Sequence, residues 1–445
     1  MRKFTLLALL LMLVLGTGLV AAQDDLSAVD PSGTNIVYWH QYNSGSQLES
    51  MTALVEEFNA TNEWGITVEA IPQGNYNDIR SLMSAAITSG DLPNIVAGYQ
   101  NDAQSWYLDD AALDLNPYYN HPTWGFSEEE EADLNQGIIS FNIMNGEPFN
   151  GEMLAWPNQV SANVMSVNLD MLSEVGFDAP PATFDEFTEI ACATKDLTGP
   201  NGEDIQGFPI KADASEFESF VASRGGTIFD FEANAYTFTS DAAIATFQMY
   251  QDLYNAGCAY VPDTGFGNTD DFAFGLNPMA IGSTAGITFI LNNINESGSG
   301  VDNWVNTTTP WTESNQVVQL FVPSAVVVPS TPEQNLASWL FLKYLTSTEN
   351  QITWTESTAY FPMRISAAEG LSEEFVAGNP YWASVNELIA SEDVGIYSSP
   401  QVLSYGDIRA LIATAVADVT TNGMDVAEVA ARLEEEANAV HADSM

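Results

Sequence analysis

From Asn35 onward the chain alternates short apolar runs with amphipathic ones. Asn35 to Trp39 reads as a short strand. Leu48, Met51, Leu54, Val55 and Phe58 then recur at helical spacing, and Ser46 with Glu49 fits a capping box, so a helix is expected there. Ile66 to Ile71 alternates as a strand that Pro72 stops. Ile79, Leu82, Met83, Ala86 and Ile87 form the inner face of a second helix with Gly90 as its stop, and Asn94 to Gly98 is the next strand. This strand–helix order predicts a mostly parallel α/β sheet, whose ligand sites lie in loops at the carboxyl ends of the strands. Those loops hold His40-Gln41-Tyr42, Gly74-Asn75-Tyr76 and Tyr99-Gln100.

A second set of α/β elements starts near Trp156. Val164 to Val167 is a strand, Thr183 and Glu186 open a helix with a capping box, and Ser240 caps another that carries Ile244, Phe247, Tyr250 and Tyr254 and ends before Gly257. Met279 to Gly282 and Val317 to Pro329 are further strands. Thr331-Pro332 starts a helix with Leu336, Trp339, Leu340 and Tyr344 on its inner face. The C-terminal part, from about Ile408 to Ala442, is helical, broken at Gly423 and recapped at Asp425.

Composition narrows the classes. At 445 residues the chain is long enough for two or three domains, and 46% hydrophobic against 16% charged residues is enough to build cores. Lys and Arg number 10 against 60 Asp and Glu, a formal charge of −50. So few cations cannot build the basic face that phosphate neutralisation needs, so a nucleic-acid partner is excluded. Arg2 and Lys3, the apolar run Phe4 to Leu15 and Val20-Ala21-Ala22 read as a secretory signal cleaved after residue 22, taking the charge to −52. A membrane anchor over the same stretch is the rival reading, weakened by Gly16-Thr17-Gly18. Cys192 and Cys258 are the only cysteines. In an exported chain that even count suggests a disulfide, with two buried free thiols as the alternative. Those cysteines and the scattered His40, His121 and His441 show no metal-ligand spacing, so neither a metal nor a cofactor is expected.

No Gly-x-Ser-x-Gly elbow, His-Glu-x-x-His pair or phosphate-cradling glycine loop marks an enzyme, and with so many acids a glycosidase-like carboxylate pair is uninformative. The unusual feature is aromatic and neutral polar residues in predicted loops: Tyr42, Tyr76, Tyr99, Trp156 with Asn158-Gln159, Tyr360 and Tyr405. Aromatic faces meet the C–H surfaces of sugars, and amides bond their hydroxyls, so this mix suits a carbohydrate pocket.

These residues stand in blocks that resemble the extracellular solute-binding proteins of family 1, the receptors of ABC importers for sugars and related polyols. Tyr38-Trp39-His40, Leu54 to Asn59, Gly74-Asn75-Tyr76 and Ser89 to Ile95 look like the family's N-terminal signature. Ala337 to Ser347, followed by Thr358-Ala359-Tyr360-Phe361-Pro362-Met363-Arg364, resembles its late helix and Gly-Tyr-x-Pro segment. The resemblance implies a two-lobe periplasmic-binding-protein-like α/β fold of type II, with hinge strands and a ligand cleft between the lobes. By analogy 1–22 is the signal and 23–33 a flexible lead-in, while lobe one spans 34–155 plus 283–327 and lobe two 156–282 plus 328–445. Similarity is strongest to the branch of glycerol-3-phosphate and glycerophosphodiester receptors, whose ligand contacts match Tyr76, Ser283, Tyr360 and Arg409. Tyr42, Gln100, Asn158, Phe220 and Ser324 complete the candidate set, with Tyr42, Tyr76 and Gln100 assigned to lobe one and Tyr360 and Arg409 to lobe two. Gln100 stands where that branch tends to have an acid, Ala359 replaces a Gly, and Ser219-Phe220 lacks a nearby tryptophan. Together with the −50 charge, which disfavours an anion, these departures favour a neutral mono- or oligosaccharide. The expectation is a secreted, monomeric, non-catalytic receptor in the periplasmic or extracellular space that hands a sugar to a membrane permease. The alternatives are a glycerol-phosphate receptor, a secreted carbohydrate-active hydrolase and a surface adhesin.

Overall fold

The computed structural model describes residues 26–145, 148–313 and 315–444. The expected export signal, 1–22, lies outside them. The lead-in expected to be flexible is docked from Leu26 on: the indole of Trp124 donates to its carbonyl at 2.9 Å, and Gly33 N–H donates to Trp64 at 2.9 Å.

The N-terminal periodicities fold as strand–helix repeats. Strands Asn35–His40, Thr67–Pro72 and Ile95–Gly98 pair in parallel, with Asn35–His40 in the middle. The sheet continues antiparallel through Ser324–Val327 to Trp156–Pro157. Helix Gly45–Thr61 buries Met51, Leu54, Val55 and Phe58, as its spacing predicts. It starts after Ser44, however, without a side-chain cap, so the Ser46–Glu49 box does not form. Helix Tyr76–Ser89 ends at Gly90, whose φ of 81° is the left-handed stop, but Leu82 points outward at 38% exposure.

The second sheet is built around Ser161–Asn168. Met279–Ser283 lines one edge antiparallel, while Trp304–Thr307 and Val317–Phe321 take successive stretches of the other, and Gly395–Tyr397 extends it. Side chains alternate along the central strand: Ala162 and Val164 enter the core shared with the first sheet, and Met165 and Val167 enter a second core under the C-terminal helices. Those helices are Tyr405–Val419 and Val426–Ser444, separated at Gly423 (φ 61°). Cys192 and Cys258 are disulfide-bonded, tying helix Phe184–Thr194 to the start of strand Ala259–Tyr260.

The lobe boundaries differ from the analogy in two places. Within 283–327, Trp304–Thr307 and Val317–Phe321 pair in the second sheet. The apolar run 317–329 is thus two strands in different sheets, divided at Pro323, which has no N–H to continue a ladder. Within 328–445, helix Pro332–Leu345 belongs to the first core. It is buried on nearly every side through Leu336, Ala337, Trp339, Leu340, Phe341 and Leu342, and Phe341 meets Tyr38 at 6.1 Å. The chain therefore crosses between the sheets at 157–161, returns at 321–324, and leaves again after the antiparallel bridge between Val160 and Phe361.

Candidate ligand-binding cleft

The parallel strands of the first sheet end in aromatic and amide groups. His40 closes its strand and leads into Gln41 and Tyr42, Asn75 caps the helix that Tyr76 begins, and Tyr99 follows the strand ending at Gly98. The Asn75 cap is reciprocal with Asp78, which fixes Tyr76 at the first helical position. Tyr76 and Tyr99 meet edge to face at 4.7 Å, Tyr42 meets Trp354 at 4.9 Å, and Trp354 stacks on Tyr360 at 6.0 Å. Tyr360 therefore joins the first-lobe tyrosines, not the second lobe as expected. Burial, and then the neighbouring phenols Tyr42 and Tyr99, push the Tyr360 hydroxyl well above its ordinary range, so it stays a neutral donor. Burial likewise drops His40 to about 4, leaving a neutral imidazole whose Nδ1 accepts from the Tyr42 N–H at 3.3 Å.

This cluster holds polar atoms without partners. The hydroxyls of Tyr42 and Tyr76, both amide atoms of Gln41 and Oε1 of Gln159 are buried and unbonded. Each such atom costs about 1–3 kcal/mol unless something bonds it, and native cores contain few. They group beside Asn158, whose side chain lies against Tyr38 and Tyr42, and Gln41 and Gln159 stand next to the Tyr42 hydroxyl, so the rings enclose a patch of polar atoms.

The second lobe presents a charged face. Arg409, on helix Tyr405–Val419, donates to Asp213 at 3.0 Å, to the Ser215 hydroxyl at 3.0 Å and to the Tyr405 hydroxyl at 3.0 Å. Burial pushes the Asp213 carboxyl up, but Arg409 and Lys211 beside it outweigh that and hold it below the usual range. The charge of Arg409 also lowers the Tyr99 phenol, though burial wins and raises it to about 12. Arg409 thus stands near Tyr99 of the first lobe, and close by Asn101 lies against Gly406 of the same helix. Gln104 donates to the Gln401 carbonyl at 3.2 Å, and at the start of helix Gly45–Thr61 Gln47 donates to the Ala285 carbonyl at 3.2 Å while a Cβ on Gly45 would stand 3.3 Å from Phe289.

The remaining candidates fall elsewhere. Phe220 is fully buried in the second core, with ring contacts to Phe184, Phe187, Phe208 and Tyr250, because its helix turns that side toward the sheet. It is a packing residue. Trp156 is a core residue too, against Phe126 and Trp339. Gln100 spends its amide N–H groups on the Val322 carbonyl at 2.8 Å and Asn142 at 3.2 Å, and Ser324 bonds the Val322 carbonyl at 3.1 Å. Both brace the returning hinge segment. Ser283 donates to Ser161 at 2.9 Å, where the central strand of the second sheet begins. Sequence reasoning missed Asp213, Ser215, Glu218, Tyr397 and Ser399. The available signal was Glu216 and Glu218 alternating with Phe217, Phe220 and Val221: acids inside an apolar helix must be buried with partners.

A family model described as bacterial extracellular solute-binding protein matches residues 53–383. Among solved structures, a cyclic α-maltosyl-1,6-maltose binding protein from Arthrobacter globiformis is 18% identical at a TM-score of 0.71, covering 92% of this chain and 99% of the other. The GacH receptor of Streptomyces glaucescens, solved unliganded and with acarbose, is 16% identical at a TM-score of 0.75, covering 93% and 99%. UgpB from Mycobacterium tuberculosis, solved with glycerophosphocholine, is 18% identical at a TM-score of 0.76, covering 92% and 98%. At these identities the likeness establishes a shared two-lobe α/β fold. Among the described residues, no helix is long and apolar enough to cross a membrane.

Proposed function

The chain belongs to the bacterial extracellular solute-binding proteins, and from that membership we propose that it captures a neutral mono- or oligosaccharide and releases it unaltered to an ABC permease. The observation that carries this reading is the group of unpartnered buried atoms on Gln41, Tyr42, Tyr76 and Gln159, set among tyrosine rings at the mouth of the first sheet. Sugar hydroxyls both donate and accept, and their C–H faces suit aromatic rings, so one such molecule answers both the orphan polar groups and the rings. The ligand's worth to closure lies in touching both lobes: contacts to the tyrosines and to Arg409 at once stabilise the shut form over the open one.

An anionic guest fits less well. Arg409 is already neutralised by Asp213, and Arg80 by Asp102 at 2.5 Å, so neither offers an unmatched charge to a phosphate. The acarbose-bound and cyclic-maltosyl-maltose-binding relatives support the carbohydrate reading, and the glycerophosphocholine-bound one supplies the competing class.

A thermal-shift panel of mono- and oligosaccharides, polyols, glycerol-3-phosphate and a glycerophosphodiester tests the proposal. A gain of several degrees with a neutral sugar, recovered intact by chromatography, is expected. A gain with the phosphates alone overturns the neutral reading, and a cleaved sugar overturns the non-catalytic one.

A further inference from the structure

Behind Arg409 the second lobe buries a polar chain that the sugar reading does not use. It starts at Glu218, on helix Ala214–Ser223, which is 3% exposed. One carboxylate oxygen accepts from the Tyr405 hydroxyl. The other accepts from Gln319 Nε2 at 2.8 Å and from the Ser399 hydroxyl at 2.8 Å. The Tyr405 oxygen in turn accepts from Arg409 Nη1 at 3.0 Å. On the far side, Asn163 Nδ2 donates to Gln319 Oε1 at 3.3 Å and to Ser219 at 2.9 Å. Gln319 and Asn163 lie on paired strands that run directly into the two hinge crossings at Phe321 and Ser161.

We propose that Glu218 is the positioning residue for Arg409: its ionised carboxylate holds the Tyr405 hydroxyl so that the phenol oxygen faces the guanidinium, and binds both to the hinge strands through Gln319. This rests on the reading of Arg409 as a cleft residue. An ionised Glu218 only accepts hydrogen bonds, so the Tyr405 proton must point to it and the phenol lone pairs are left for Arg409. When Glu218 takes up a proton on that oxygen, it must donate to Tyr405, whose own proton then turns to the Ser399 hydroxyl at 3.0 Å, and Arg409 is left on a phenol that no carboxylate polarises. The arginine is thereby loosened on one side while Asp213 still holds the other.

The charged and titratable groups around Glu218 permit this switch near neutrality. Burial raises the carboxyl to about 7, against the opposing Tyr405 hydrogen bond and Arg409 charge, while Asp213 adds to the rise. Tyr397 faces it from the strand Gly395–Tyr397, Tyr236 from across the core, and Lys211 and Tyr250 attend the neighbouring Glu216. His441 reaches the same helix end through Ser404 at 3.0 Å and is the rival titrating group.

The test needs no ligand. In the whole protein, labelled with ¹⁵N-arginine, the Arg409 Nε–H resonance is assigned with Arg409→Lys and followed from acid to alkaline pH. The expected result is a single step with its midpoint near 7 that is lost in Glu218→Gln, lost in Tyr405→Phe, and kept in His441→Gln. A wild-type signal without a step, or a step that survives both Glu218→Gln and Tyr405→Phe, overturns the proposal, as does a step abolished only by His441→Gln. Should Glu218→Gln not fold, Tyr405→Phe alone decides the outcome, because it removes one hydroxyl and leaves every charge in place. A failed sugar panel beside an intact step would count against the carbohydrate reading and not against this one.

Discussion

On the proposed reading, Arg409 is the residue through which the second lobe meets the ligand. Replacing it with Ala removes its donors and leaves Asp213 with Lys211 as its remaining nearby cation. Affinity for the sugar found by the panel should fall tenfold or more, at ~1.4 kcal/mol per decade, and calorimetry reads this directly. Ala359 carries a different cost. It ends helix Thr348–Thr358 at a φ of 61°, in the left-handed region where a Cβ is strained, and it holds Tyr360 in place. Ala359→Gly should raise stability by about 0.5–1 kcal/mol, measured by denaturant melts. Glu218 gives a pH signature with a definite sign. Its folded value near 7 lies above its ordinary 4.5, so between the two the native state holds the extra proton and stability falls as pH rises. In Glu218→Gln this contribution is absent, so the melting temperature of the variant relative to wild type should climb from pH ~4.5 to ~7.

At the scale of elements, local signals were the legible ones. The reciprocal cap of Thr183 with Glu186, the Thr331 cap before Pro332 and the Gly90 stop all form as their residue types require, because each depends on neighbours within one turn. The Ser46–Glu49 box failed since the helix begins earlier, at Gly45, where the chain passes close to Phe289. The run 317–329 looked like one stretch of strand and is two, since hydrophobicity alone does not say which sheet an apolar residue joins. The disulfide joins elements 66 residues apart in sequence. Breaking it with Cys192→Ala plus Cys258→Ala should lower stability by roughly 4 kcal/mol in the chain-entropy account, with the helix Phe184–Thr194 losing its tie to the strand beside it.

For the whole molecule, the −50 charge is the dominant long-range term. Mutual repulsion of that size opposes compactness and weakens as salt shortens the screening length, so the melting temperature should rise between about 0.05 M and about 1 M NaCl, followed by calorimetry. Composition, caps, helical and strand periods and the α/β class were determined by the sequence itself, because each is a property of residues close together in the chain. It also placed Tyr42, Tyr76 and Tyr99 in the loops after the strands, since a parallel sheet dictates which loops face the ligand. Only the tertiary structure decided that Tyr360 joins those tyrosines, that Phe220 and Trp156 are packing residues, that Gln100 and Ser324 brace the hinge, and that Asp213 and Glu218 stand behind Arg409. These are relations between residues far apart in sequence, and they exist only once the chain has crossed between its two sheets and brought the strand ends face to face.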